Sequence, residues 1–177
     1  NNNLKQFNNV KVVNRSAYKI DKKDKFDIAF SIGVIHHLEN PKLALENMVK
    51  AVKSGGHVLI WVYGYENNEW IVKYFNPIRK MFFSRLPISI VHFLSIFPTL
   101  FLYIVIRLIK GKTEYIKLIR KFSFSHLRSI VFDQMLPKIA NYYKEEEVKE
   151  LMKSVGLTDV KTNWVNEMSW TVIGKKK

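Results

Sequence analysis

Phe26-Asp27-Ile28-Ala29-Phe30-Ser31-Ile32-Gly33 is a nearly unbroken apolar run, and the 31 residues after it decide how it is read. Eight residues is the length of a strand, and so little polar alternation predicts a strand buried on both faces of a parallel sheet. Asn40-Pro41 then supplies a helix start, with Asn as the cap and Pro at the first helical position, where its missing N–H costs nothing. Leu43, Ala44, Leu45, Met48, Val49 and Val52 fall on one face at helical spacing, and Ser54-Gly55-Gly56 is the expected stop. His57-Val58-Leu59-Ile60-Trp61-Val62-Tyr63, closed by Gly64, reads as a second buried strand. Strand, helix, Gly-Gly turn and strand make a βαβ unit.

Working outward, Asn9-Val10-Lys11-Val12-Val13 predicts a short strand before this unit, and Lys22-Lys23-Asp24-Lys25 a polar connection. On the far side, Glu145 to Val155 reads as a helix carrying Val148, Leu151, Met152 and Val155 on one side, with Gly156 as its stop. Val160–Trp164 and Ser169–Ile173 around Asn166-Glu167 predict an antiparallel hairpin at a sheet edge. Between the two α/β parts, residues 65–140 show no strand-like alternation. Trp70 to Phe83 looks helical, interrupted at Pro77. Leu86 to Ile109 holds one formal charge, Arg107, in 24 residues. That length could cross a bilayer, which takes about 20 apolar residues. Pro98 and the need to keep one sheet on one side of a membrane argue against a span. A helical cap on the domain, a cap touching lipid and a true span stay as three readings, in that order. The expected organisation is therefore 1–64 as α/β core, 65–140 as an inserted apolar helical cap, and 141–177 as the last helix and strand pair.

The residues Phe26-Asp27 through His36-His37-Leu38, Pro41, Leu45 and Ser54-Gly55-Gly56-His57-Val58-Leu59-Ile60 together resemble the second half of class I S-adenosylmethionine-dependent methyltransferases. The likeness is close over 9–64 and weaker over 142–174. It implies a partial doubly wound, mostly parallel Rossmann-like sheet, methyl transfer to a small-molecule or lipid-like acceptor, and S-adenosylmethionine as cofactor. By the resemblance, Ser31, Ile32 and Gly33 line the sulfonium end of the donor. Ser16 and Ala17 stand where the family meets the adenine edge, although Ser16 replaces the family's acid. His37 is the expected catalytic residue beside the transferring methyl, with His36 the weaker candidate. Elementary chemistry agrees on two points. Ligands of open α/β sheets bind beyond the carboxyl ends of strands, and imidazole titrates near neutrality, which suits it to move a proton. One or both histidines packed between strand and helix, with their nitrogens satisfied locally, is the competing reading.

Two family features are missing from the sequence: the glycine-rich loop and the acid that holds the ribose. There are seven glycines and no G-x-G-x-G. The expectation is an N-terminally truncated piece, inactive alone and binding the cofactor weakly. The cap is expected to select the acceptor, with Phe93, Phe97, Phe101 and Tyr103 as lining and Arg107 and Lys110 as a basic exit. Trp61, Tyr63, Tyr65, Phe132-Asp133-Gln134 and Tyr142-Tyr143 are further pocket candidates.

Composition bounds the rest. The 177 residues carry 29 Lys+Arg against 15 Asp+Glu, a formal charge of +14, with no cysteine and 47% hydrophobic residues. A disulfide scaffold, a thiolate metal site and wholesale disorder are excluded. The positive excess is spread along the chain, +5, +5 and +4 over 1–56, 57–113 and 114–177. It is densest from Arg107 through Lys110, Lys112, Lys117, Arg120 and Lys121 to Arg128. A contact to a membrane surface through 86–109 follows as an expectation. Nucleic acid is disfavoured, because no basic helix face is interleaved with stacking aromatics. An inactive basic module binding a membrane surface or nucleic acid is the alternative to the enzyme. No secretory leader is read, and a cytoplasmic location, with membrane association open, is expected.

Overall fold

The computed structural model describes residues 7–108, 111 and 113–177. Its frame is a four-stranded sheet: β1 (Phe26–Ile32), β2 (Val52–Tyr63), β3 (Leu157–Val165) and β4 (Ser169–Lys176), in the order β1-β2-β4-β3. β1 and β2 pair in parallel, whereas β4 runs against both β2 and β3. The expectation of a mostly parallel sheet therefore needs correcting at the level of pairings, since only one of the three is parallel. Three of the four strands nevertheless point the same way, because the return strand of the hairpin inserts between β2 and β3.

The connection from β1 to β2 is α1 (Pro41–Ala51). Asn40 accepts the N–H of Leu43 at 3.0 Å, and Pro41 opens the first turn. The helix closes at Ala51, earlier than the Gly-Gly signal implies. Val52 caps it by donating its N–H to Met48, then starts the strand. Ser54-Gly55-Gly56 lies inside an irregular start of β2, where the register with β1 slips between Phe26 and Ile28. α7 (Glu145–Ser154) packs beside α1 on the same face of the sheet. Val58, Ile60 and Val62 of β2 meet Ala44, Leu45 and Met48 of α1 and Val148 and Met152 of α7 in one core. Alternate positions Leu59, Trp61 and Tyr63 face the other way and are only half-buried.

Two strand expectations fail for one reason. Val10–Val13 forms no strand and stays exposed. β1 is not buried on both faces: Ile28, Phe30 and Ile32 are 60%, 69% and 62% exposed. Among the described residues β1 has a neighbour on one side only, and a strand without a partner or a covering helix cannot be dry. Among the described residues α1 and α7 cover one face of the sheet, so the expected α/β, Rossmann-like arrangement is present in its partial form.

The described residues of 65–140 form helices and the turns between them, with no strand among them. A wide π-turn (Ile71–Phe75) leads into α2 (Asn76–Met81), with Pro77 in its first turn. α3 (Ile88–Leu94) and α4 (Ile96–Leu108) follow, then α5 (Glu114–Ile119) and α6 (Phe124–Met135). Pro98 sits in the first turn of α4 and does not break the segment. It cannot donate to Leu94, and the hydroxyls of Ser95 and Thr99 bond back to His92 O and Ser95 O at the same place. Ile106, Ile119 and Leu127 make a small second core. Ile109, Lys110 and Lys112 lie outside the described residues, and with them part of the expected basic exit.

Candidate functional site

The carboxyl ends of β1 and β2 lie side by side, with Ser31 opposite Ile60 and Ile32 opposite Trp61. Gly33 continues the ladder by donating its N–H to Trp61 O at 3.3 Å, then turns away with φ +73°. That conformation is where glycine has its advantage over L-residues. Nothing lies within 4 Å of where a Cβ would stand, so the crest is open rather than sealed beneath side chains. A short turn, Ile35–His37, follows at once and sets both histidines against the end of β2.

The two imidazoles have different surroundings. His36 is fully buried, with both ring nitrogens unpartnered, and its ring lies 3.9 Å from that of Tyr63. Burial, helped by the neighbouring His37, depresses its pKa to about 3, so it is neutral at pH 7. Enclosed in this way, it presents no face to solvent. His37 is half-buried, and its Nδ1 donates to Ile139 O at 2.7 Å. A carbonyl can only accept, so the proton of neutral His37 sits on Nδ1 and Nε2 keeps a lone pair.

Ile139 belongs to a strap, residues 139–143, that crosses the strand ends. Asn141 N–H donates to His36 O, and Tyr143 N–H to Tyr63 O. Above the strap, Gln134 donates to the Tyr63 hydroxyl at 2.8 Å and accepts from the Tyr142 hydroxyl at 3.2 Å. The Tyr63 and Tyr142 rings stack at 5.2 Å. Burial raises the pKa of both phenols, that of Tyr142 to about 12. Both therefore remain protonated donors at neutral pH.

Ser16 and Ala17 lie beside α1. Ser16 caps a short turn, accepting from Tyr18 N–H at 3.3 Å, and Ala17 O accepts from Asn47, well along α1. Tyr18, not Ser16, reaches the loop after the crest, where its hydroxyl accepts Asn40 N–H. The expected apolar lining of the cap is also corrected. Phe93 and Phe101 are 59% and 72% exposed, and Phe97 is as open as Phe93, so they enclose nothing. Tyr103 instead lies under the Arg107 guanidinium, at 3.3 Å. The sequence reading missed Arg79 and the Ile139 carbonyl. The first had a signal, a lone arginine one turn after Asn76-Pro77; a backbone carbonyl carries none.

Residues 1–58 match a family model described as a methyltransferase domain. The likeness to that domain is confined to these first 58 residues, about a third of the chain. The matched stretch contains Ser16, Ala17, the Ser31–Gly33 crest, both histidines and α1, and it stops before the cap. No curated protein matches the chain in sequence. Among solved structures, a possible exported protein from Bordetella parapertussis aligns at 13% identity and TM-score 0.49, over 92% of this chain and 42% of its own. A S-adenosylmethionine-dependent methyltransferase from Thermotoga maritima, described as a possible histamine N-methyltransferase, aligns at 16% and 0.48, over 92% and 62%. Human N-acetylserotonin methyltransferase, solved with S-adenosylmethionine, aligns at 12% and 0.47, over 92% and 32%. The chain thus spans less than two thirds of the length of each.

Proposed function

We propose that this chain supplies the acceptor-side half of a methyl-transfer site, using S-adenosylmethionine as donor and a small-molecule or lipid-like compound as acceptor. The observation that carries the reading is the open Gly33 crest at the ends of two parallel strands, inside the stretch that matches the methyltransferase-domain model. The crest fits the donor: a half-buried backbone without a Cβ lets a ligand lie directly on the strand ends. When bound, the donor supplies an electrophilic methyl on a sulfonium. Ser31, Ile32 and Gly33 would hold its amino-acid end, and Ser16 and Ala17 belong to this assignment only if the adenine reaches the α1 flank. His37 Nε2 would take the proton of an acceptor hydroxyl or amine, while Ile139 O fixes the tautomer. Alignment of donor and acceptor supplies the larger share of the rate.

Without a glycine-rich loop, binding of the donor to this chain alone is expected to be weak. Titration of the 15N-labelled protein with S-adenosylhomocysteine, read by amide shifts, tests both points. A saturable shift centred on Ser31–Gly33, weaker than micromolar and lost in Gly33→Val, is the expected result. Shifts that avoid the crest, or a Gly33→Val protein that responds like the wild type, would overturn the site.

The exposed stripe of α3 and α4 supports a membrane surface as the place of action. Ile90, Phe93, Phe97, Phe101, Ile104 and Leu108 recur every three or four residues and all face solvent. By length and composition Ile88–Leu108 could cross a bilayer, with mean hydropathy 2.1. The opposite side of the same helices is packed on protein, with Val91, Ser95, Thr99 and Ile106 buried and Arg128 of α6 bonded to Ser95 and His92. A helix held along one side by its own domain lies on a bilayer rather than through it.

A further inference from the structure

Arg79 is the largest fully buried side chain of the described residues, with 0% exposure. Its Nη1 donates to Gln134 O at the long distance of 3.5 Å, while Nε and Nη2 have no hydrogen-bond partner among the described residues. Among the described residues no carboxylate acts on it: the groups that bear on its charge are the phenols of Tyr142, close enough to hydrogen-bond it, and Tyr63. A guanidinium does not deprotonate in proteins, so a full positive charge is buried here without a counter-ion. Such an arrangement is strongly unfavourable on its own, because neither the desolvated charge nor its N–H groups are repaid.

The unpartnered edge has a definite shape. Nε–H and one Nη2–H point in parallel, and that fork matches the two oxygens of a carboxylate or two oxygens of a phosphate. Asn76, three residues earlier on α2, is also buried; its unpartnered Oδ1 can only accept, so an anion would have to be met by its Nδ2–H groups. Asn76 and Tyr142 both neighbour Arg79, and both line a cleft of about 740 Å³. Two cations, Lys80 and Lys144, stand on the walls of that cleft against one carboxylate, Glu147. Glu147 is already engaged, accepting Lys144 N–H at 2.8 Å.

We infer that Arg79, with Tyr142 and Asn76 beside it, is a binding site for an oxyanion, a carboxylate or phosphate carried by the methyl acceptor. The polar chain from Arg79 runs through Gln134 to Tyr63, whose ring lies 5.6 Å from that of His37. Gln134, through its carbonyl on one side and its amide on the other, and the Tyr63 ring are thus what separates Arg79 from the proposed base. Arg79 does not itself line the cleft, so an anion would reach it by displacing Tyr142 or Asn76, which do. Identifying the anion as the acceptor rests on the proposed function; the binding of an anion does not.

The test is a titration of the full chain, 15N-labelled, with sodium acetate, inorganic phosphate and sodium decanoate, each against sodium chloride at equal ionic strength. The readout is the arginine Nε–H resonances, with no methyl donor present, so failure of donor binding at Gly33 leaves this result untouched. One arginine resonance is expected to shift saturably with at least one anion. Acetate and phosphate report the bare anion, and tighter binding of decanoate reports an acceptor with an apolar chain. Arg79→Lys, which keeps the charge but not the fork, should weaken the response at least tenfold, and Tyr142→Phe several-fold. If Arg79→Lys does not fold, the wild-type and Tyr142→Phe titrations still decide. Three anions that behave like chloride, or an Arg79→Lys protein with an unchanged response, would refute the inference.

Discussion

His36 and His37 are adjacent in sequence, yet their environments separate their chemistry. Burial holds the His36 pKa at about 3, against 6.5 for a free imidazole. Between these values the unfolded chain binds a proton that the folded chain refuses. The stability owed to this group is complete above pH 6.5 and is lost as pH falls toward 3, with a limiting slope of about 1.4 kcal/mol per pH unit. The ion-paired carboxylates Asp21, Asp24, Asp27 and Glu145, all with lowered pKa values, lose their contribution in a lower window. Urea unfolding between pH 6.5 and 4.5 should therefore show a fall in stability that His36→Leu makes shallower by about one proton. Equal slopes for the two proteins would mean that water reaches His36.

At the scale of elements, Gly64 shows how closely the sheet and the hairpin are fitted. It follows β2, and a Cβ there would run into the Trp164 ring of β3. Trp164 in turn lies over Trp170, with ring centroids 4.3 Å apart. Gly64→Ala is expected to cost about 1–3 kcal/mol by overpacking, read as a lower urea midpoint with an unchanged slope. A neutral result would show that Trp164 can swing aside. The βαβ unit and the last helix were legible because their signals are local: Asn40-Pro41 is a cap, Gly156 is a stop, and the apolar positions repeat at the helical period. What was illegible depended on partners. Val10–Val13 has strand composition but no strand to pair with among the described residues, and the exposed faces of β1 follow from the same lack. The crest residues could be placed from the sequence, whereas the difference between the two histidines could not, because it depends on the strap at 139–143, about a hundred residues away.

For the molecule as a whole, the positive charge and the apolar stripe make one prediction together. The 21 residues from Ile88 to Leu108 extend roughly 32 Å as helix, and 65–140 holds twelve Lys/Arg against four Asp/Glu. The chain should float with phosphatidylcholine vesicles that contain phosphatidylserine, and much less with phosphatidylcholine alone. Phe97→Asp combined with Phe101→Asp should abolish flotation with little effect on stability, since both side chains are exposed. A wild-type protein that stays at the bottom of the gradient with anionic vesicles would rule the surface out. A different consequence follows from the order β1-β2-β4-β3. During synthesis β3 leaves the ribosome before β4, yet it has no place in the sheet until β4 has docked against β2, more than a hundred residues upstream. The nascent chain must therefore carry β2 with one ladder unfilled while the whole helical insertion is being made, and it is in this interval that a chaperone would find it.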